Sequence, residues 1–179
     1  MITLYNNKKD CSGCSACLNV CPTQAISMQS DSYGYLYPTI STKRCVECGL
    51  CNRVCAFQNK PIIDKRPLRT YVAVNKSRNV LLSSSSGGVF SALANIVLEN
   101  NGVVFGCAYG NEMEPKHVSI ENKESLRIAQ GSKYVQSNIN FAYVEVKEYL
   151  ASGRQVLFVG TPCQIAGLKS YLGKDNEKL

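Results

Sequence analysis

Cys11-Ser-Gly-Cys14-Ser-Ala-Cys17-Leu-Asn-Val-Cys21-Pro22 and Cys45-Val-Glu-Cys48-Gly-Leu-Cys51-Asn-Arg-Val-Cys55 place eight of the chain's ten cysteines in two copies of one spacing, all within the first sixty residues. Three thiolates two residues apart can wrap a tight loop around one face of a cubane iron–sulfur cluster, and the fourth must come from elsewhere. Two other chemistries use closely spaced cysteines. Zinc is satisfied by four ligands, whereas each run here presents four cysteines with a third at the same short interval, which disfavours zinc. A disulfide framework needs an oxidising compartment, and Met1-Ile-Thr-Leu-Tyr-Asn has neither a charged n-region nor an apolar h-region to direct export.

The doubled spacing resembles that of bacterial two-cluster ferredoxins, in which the fourth ligand of each cluster is supplied by the other motif. That resemblance assigns Cys11, Cys14, Cys17 and Cys55 to one 4Fe-4S cluster, and Cys45, Cys48, Cys51 and Cys21 to a second. Small residues between the ligands (Ser12, Gly13, Ser15, Ala16, Gly49) leave room for backbone N–H groups to point at cluster sulfurs, one of the levers on potential. Pro22 stiffens the exit after Cys21, while the second motif has Ala56 where a proline is usual.

At 179 residues the chain accommodates a small cluster-bound module beside a larger one. No apolar run approaches the roughly 18 residues needed to span a bilayer, and the many cysteines imply a reducing, cytoplasmic setting. The formal charge of +7 invites a nucleic-acid reading. Eight thiolates and two oxidised cluster cores of about +2 each would lower it to near +3. The lysines and arginines are also scattered, with no basic stripe interleaved with aromatics, so nucleic acid is not an expected partner.

Thr23 to Gln29 starts as a helical turn and runs into a strand, Asp31-Ser-Tyr-Gly34 makes a turn, and Tyr35 to Ile40 returns as a second strand. The tyrosines of this hairpin, Tyr33, Tyr35 and Tyr37, are expected to cover the clusters and a small core. Residues 61–69, with Pro61 and Pro67 among charges, read as a linker. From Thr70 strands and helices alternate. Strands are expected at Tyr71–Val74, Gly102–Tyr109, His117–Ile120 and Gln155–Val159, and helices at Val89–Glu99, Ile139–Leu150 and Ile165–Leu172. The fold class is therefore α+β: a ferredoxin-like domain over residues 1–60, then an α/β sheet domain over 70–150, with 151–179 opening a further domain.

Two loops stand out. Ser83-Ser-Ser-Ser-Gly-Gly88 opens a helix, exposing backbone N–H groups and hydroxyls suited to a phosphate or pyrophosphate, although serine-rich loops are also ordinary turns. Gly160-Thr-Pro-Cys-Gln164 repeats the arrangement, with Cys163 at a helix N-terminus as a ligand, a redox group or a buried small residue. Cys107 reads as a buried strand residue and the single histidine, His117, as structural.

Together with the cysteine module, Ser85-Ser-Gly-Gly-Val-Phe90, Gly131-Ser-Lys-Tyr-Val-Gln-Ser137 and Val156-Leu-Phe-Val-Gly-Thr-Pro-Cys-Gln-Ile-Ala-Gly-Leu168 resemble the family of coenzyme F-420 hydrogenase/dehydrogenase beta subunits. The resemblance covers essentially the whole chain. It implies an iron–sulfur flavoprotein oxidoreductase that passes electrons between its clusters, FAD and a substrate such as the deazaflavin coenzyme, working with redox partner proteins or oxidoreductase subunits. It makes Ser85, Gly87, Gly88, Ser132, Lys133, Tyr134, Thr161, Cys163 and Gln164 candidates for the flavin or substrate site. Family members usually continue beyond the Gly-Thr-Pro-Cys-Gln helix, so the resemblance also implies a truncated chain that holds FAD weakly. The rival from another class is a ferredoxin-type electron carrier whose second domain only docks a partner and binds no flavin.

Overall fold

Left-handed backbone shapes both cysteine loops in the same way. Gly13 (φ 66°) and Ser15 (φ 62°) flank Cys14, and Glu47 (φ 53°) and Gly49 (φ 73°) flank Cys48 at the matching positions of the second copy. Each loop then enters a short helix, α1 (Ala16–Val20) or α2 (Leu50–Arg53). The structure, a computed structural model, describes residues 2–59 and 69–179. Most of the expected linker lies outside the described residues.

Between the two loops runs the expected hairpin, β1 (Ile26–Ser30) and β2 (Leu36–Ile40), antiparallel with Ile26 opposite Ile40. Asp31 closes its turn by accepting hydrogen bonds from the backbone N–H groups of Tyr33 and Tyr35, the local habit that makes aspartate a turn residue. Tyr33 and Tyr35 do not cover the clusters: both are exposed, Tyr33 at 86%, because they ride the turn itself. Tyr37 is half-buried and lies against Tyr5.

Beyond the linker come α3 (Arg78–Leu82), α4 (Val89–Glu99), β3 (Val103–Tyr109), β4 (Pro115–Ile120), α5 (Ala142–Ala151), β5 (Val156–Phe158) and α6 (Pro162–Leu172). The sheet runs β4-β3-β5, with β3 antiparallel to β4 and parallel to β5. A central strand is buried on both faces, which is why β3 reads as a continuous apolar run. Val104 packs with Ala94 and Val97 of α4, while Val103 and Phe105 pack with Tyr143, Val146 and Leu168 on the opposite side. The expected strand at Tyr71–Val74 is not one. Tyr71–Val74 lies exposed, Val72 at 98%, outside any ladder, and the Asn75 N–H that follows it donates to the Gly87 carbonyl of the loop before α4.

The cysteine module shares the second of these cores. Ala16 and Val54 belong to the same buried cluster as Phe105, Tyr143 and Leu168. Asn19 fastens α1 to the start of α5, its Nδ2 donating to the Asn140 carbonyl at 2.8 Å and its Oδ1 accepting from Val144 N–H at 3.3 Å. The Tyr143 hydroxyl lies 2.8 Å from the Cys14 carbonyl and 2.9 Å from that of Gln164, within donating distance of each. One side chain thus joins the first cysteine loop to α6.

Candidate functional site

The eight paired-motif cysteines line two neighbouring cavities. Cys11, Cys14, Cys17 and Cys55 surround the first, and Cys21, Cys45, Cys48 and Cys51 the second, with Cys51 on the wall between them and touching both. Burial raises the thiol pKa values of Cys11, Cys14 and Cys17 and outweighs the backbone N–H groups that act the other way. Cys21 moves down instead: burial would raise it, but the N–H of Ala25, 3.2 Å from the sulfur, and the Thr23 hydroxyl prevail.

Thiols crowded in apolar surroundings become thiolates when a cationic centre compensates them, and soft sulfur donors select iron–sulfur clusters, copper(I) or zinc. Ser12 supplies a separate observation. Among the described residues its Oγ is the buried side-chain oxygen left without a hydrogen-bond partner, and Ser12 lines the first cavity. A hydroxyl donor in that position fits a cluster sulfide. Among the described residues no three His, Cys, Asp or Glu side chains close around a single-ion position, so the quartets are defined by the cavity each lines.

A cleft of about 520 Å³ lies beyond the first cavity. Its walls include Ser85, Gly87 and Gly88 at the entrance to α4, Ser132, Lys133 and Tyr134 from the loop before α5, and Thr161 and Gln164 at the start of α6. The structure therefore brings together eight of the nine side chains and backbone positions singled out in the sequence. No side chain caps α4, so its first-turn N–H groups remain available to an anion. The Ser85 hydroxyl oxygen accepts from Ser132 N–H at 2.8 Å and holds two walls together. Lys133 donates to the carbonyls of Gln130 (2.8 Å) and Ile128 (3.2 Å), and burial lowers its pKa.

Cys163 is the exception. It is not part of the cleft lining. Thr161 is the extended N-cap of α6 and Cys163 lies in its first turn, on the side that meets the cysteine module. Gly167, one turn further along α6, faces the same way: a Cβ there would stand 3.1 Å from Cys14 Sγ. Cys163 Sγ keeps a 3.1 Å contact with Thr161 Oγ1 on the cleft wall and lies near enough to Cys11 and Cys14 to raise their thiol pKa values, so the pair links the cleft to the first cysteine loop.

The cleft also contains residues read as structural in the sequence. Cys107 and His117 are paired across β3 and β4 and both line it. Cys107 is only half-buried, not a core residue. His117 is buried, with Nε2 3.0 Å from the Val159 carbonyl and Nδ1 3.1 Å from the Ser137 hydroxyl; the tautomer with the proton on Nε2 satisfies both. Ser137 Oγ also accepts from Gln164 Nε2 at 2.9 Å, and Gln164 Oε1 accepts from Thr161 N–H at 2.8 Å, giving a polar chain along the cleft floor. An alternating strand pattern places Cys107, but nothing local in sequence joins Ser137 to His117.

Burial lowers the His117 pKa below its ordinary 6.5, against the Val159 carbonyl, which raises it. The unfolded chain then binds this proton more readily than the folded one. The contribution is fully present above about pH 6.5 and is lost as pH falls through the lower folded value. The unfolding midpoint should drop on acidification from pH 7 to 5.5, and His117→Gln should flatten that slope. An unchanged slope in the variant would exclude His117 as the cause.

Residues 10–59 match the family model described as a 4Fe-4S dicluster domain. Nearly all of the chain also aligns with one of the subunits of the F(420)H(2) dehydrogenase of Methanosarcina mazei, 25% identical over 186 residues, covering 94% of this chain and 50% of that protein. An uncharacterized protein of Methanocaldococcus jannaschii is 26% identical over 211 residues, covering 98% of this chain and 58% of its own length. The N-terminal module is thus a ferredoxin-like 4Fe-4S dicluster domain, a type that serves electron transfer, followed by a mixed α/β part. Both alignments run past the dicluster domain into the mixed α/β part, and the chain spans 50% and 58% of the two relatives. Among the described residues no helix is long and apolar enough to cross a membrane.

Proposed function

We propose that this chain carries electrons through two 4Fe-4S clusters to or from FAD seated in the adjoining cleft. Cys11, Cys14, Cys17 and Cys55 would hold the first cluster and Cys21, Cys45, Cys48 and Cys51 the second. The observation that carries this reading is the division of the eight cysteines between two cavities along the crossed pairing. FAD would convert the single electrons of the clusters into two-electron chemistry. The open α4 N-terminus and Lys133 suit its pyrophosphate, and the bridging pair Thr161 and Cys163 marks the short way between cleft and first cluster. The setting would be the cytoplasm, the two-electron partner the deazaflavin coenzyme, and the one-electron partner another oxidoreductase subunit, in keeping with the name of the Methanosarcina relative.

Fluorescence titration of the reconstituted protein with FAD tests the cleft. Binding should saturate at one flavin per chain, and Lys133→Met should weaken it about tenfold, the equivalent of about 1.4 kcal/mol. Saturable binding that Lys133→Met leaves unchanged would move the flavin out of this cleft. No binding would leave a ferredoxin-type carrier with a docking domain.

A further inference from the structure

The loop Gly131–Ser137 has work on two sides. Ser132, Lys133 and Tyr134 face the cleft, and Ser137 is fixed to the cleft floor by Gln164 and His117. Gln136, between them, turns the other way. Its Oε1 accepts from Leu36 N–H at 2.7 Å in the hairpin, and its Nε2 reaches the carbonyls of Ser12 at 3.4 Å and Leu36 at 3.5 Å. The amide lies directly on Gly13, where a Cβ would come within 2.3 Å of Nε2 and 2.4 Å of the Leu36 carbonyl oxygen. A single side chain thus crosses 124 residues of sequence to touch the Cys11–Cys14 loop, and it touches the residue whose hydroxyl is left unpartnered in the first cavity. Each of these contacts falls on the first cysteine loop or on the hairpin beside it.

We propose that Gln136 is a positioning residue that clamps the first cluster's loop to the cleft wall, so that filling the cleft shifts the reduction equilibrium of that cluster alone. The coupling rests on the flavin reading given above; the clamp does not. Hydrogen bonds to the sulfurs and their exposure to solvent set a cluster's potential, and both depend on how the Cys11–Cys14 loop is held. Coupling between two sites is reciprocal, so the factor by which FAD changes reduction of the cluster must equal the factor by which reduction changes FAD affinity.

The test is a dithionite titration of the reconstituted full chain followed by electron paramagnetic resonance, with and without FAD. The first cluster is identified as the signal missing from Cys14→Ser. Gln136→Glu keeps the acceptor for Leu36 N–H and adds a negative charge beside a cluster that becomes more negative on reduction. Reduction of the first cluster should become at least about tenfold less favourable, about 59 mV for a one-electron couple, with the second unchanged. Selective loss of the first cluster in that variant supports the clamp equally. Equal shifts in both clusters, or none, would overturn it. Gln136→Ala should keep both clusters and abolish the FAD-induced shift seen in the unsubstituted chain. A shift that persists in Gln136→Ala would overturn the coupling, as would FAD binding with no shift. If FAD does not bind, the flavin reading and the coupling fall together, and the Gln136→Glu result still decides the clamp.

Discussion

Replacing Cys14 with serine should lower the iron content of the anaerobically reconstituted chain from about eight atoms to about four, the largest effect expected of any single substitution. Cys14 lines the first cavity, its sulfur packs against Gly167 of α6, and its carbonyl lies within reach of the Tyr143 hydroxyl. Serine keeps the shape of that junction and removes only the soft donor. The folded scaffold, including the second quartet, should therefore survive. Cys107→Ser is the control, because Cys107 lines the cleft and neither cysteine cavity. Cys163→Ser should likewise retain full iron, because Cys163 lines neither cysteine cavity. A Cys14→Ser protein that still carries about eight irons, or a Cys163→Ser protein that loses about four, would require a different ligand set.

Gly13→Ala should be the second most damaging change. Gly13 has φ 66°, which alone costs an L-residue about 1–2 kcal/mol. The new methyl group would also stand 2.4 Å from the Leu36 carbonyl oxygen, a backbone atom held in β2 that cannot swing away as a side chain would. Overpacking of this kind adds about 1–3 kcal/mol, and the sum is a large fraction of the stability of an ordinary domain. Denaturant unfolding should show a loss of about 2–5 kcal/mol, accompanied by selective loss of the first cluster. Gly34→Ala tests the argument, since Gly34 shares a positive φ of 87° but has nothing within 4 Å of its missing Cβ. If the two substitutions cost the same, backbone conformation alone explains them and the close contact at Gly13 is immaterial.

What could be read from the sequence was what the chain fixes locally. The cysteine spacing determines which thiols can share a loop, and the matching positions adopt the same left-handed turns in both copies. Asp31 accepts from the turn's backbone N–H groups, Gly34 adopts its positive φ, and α4, β3, β4 and β5 lie close to their expected places. The Ser-Gly-Gly loop between α3 and α4 and the Gly-Thr-Pro-Cys-Gln loop between β5 and α6 meet across one cleft. The misses come from partners distant in sequence. Tyr71–Val74 has the residues of a strand, yet it lies exposed and pairs with neither outer strand of the β4-β3-β5 sheet. The start of α6 at Pro162, three residues earlier than expected, puts Cys163 inside the helix, behind Thr161 and off the cleft lining. His117 gains its polar setting from Ser137 and Val159, and Gln136 finds Ser12 and Leu36, contacts that no local pattern announces.

Iron and acid-labile sulfide measured together on the anaerobically reconstituted 179-residue chain test the two-cluster assignment most directly. About eight of each per chain is the predicted result. A plateau near four of each, or stoichiometric zinc without sulfide, would contradict it.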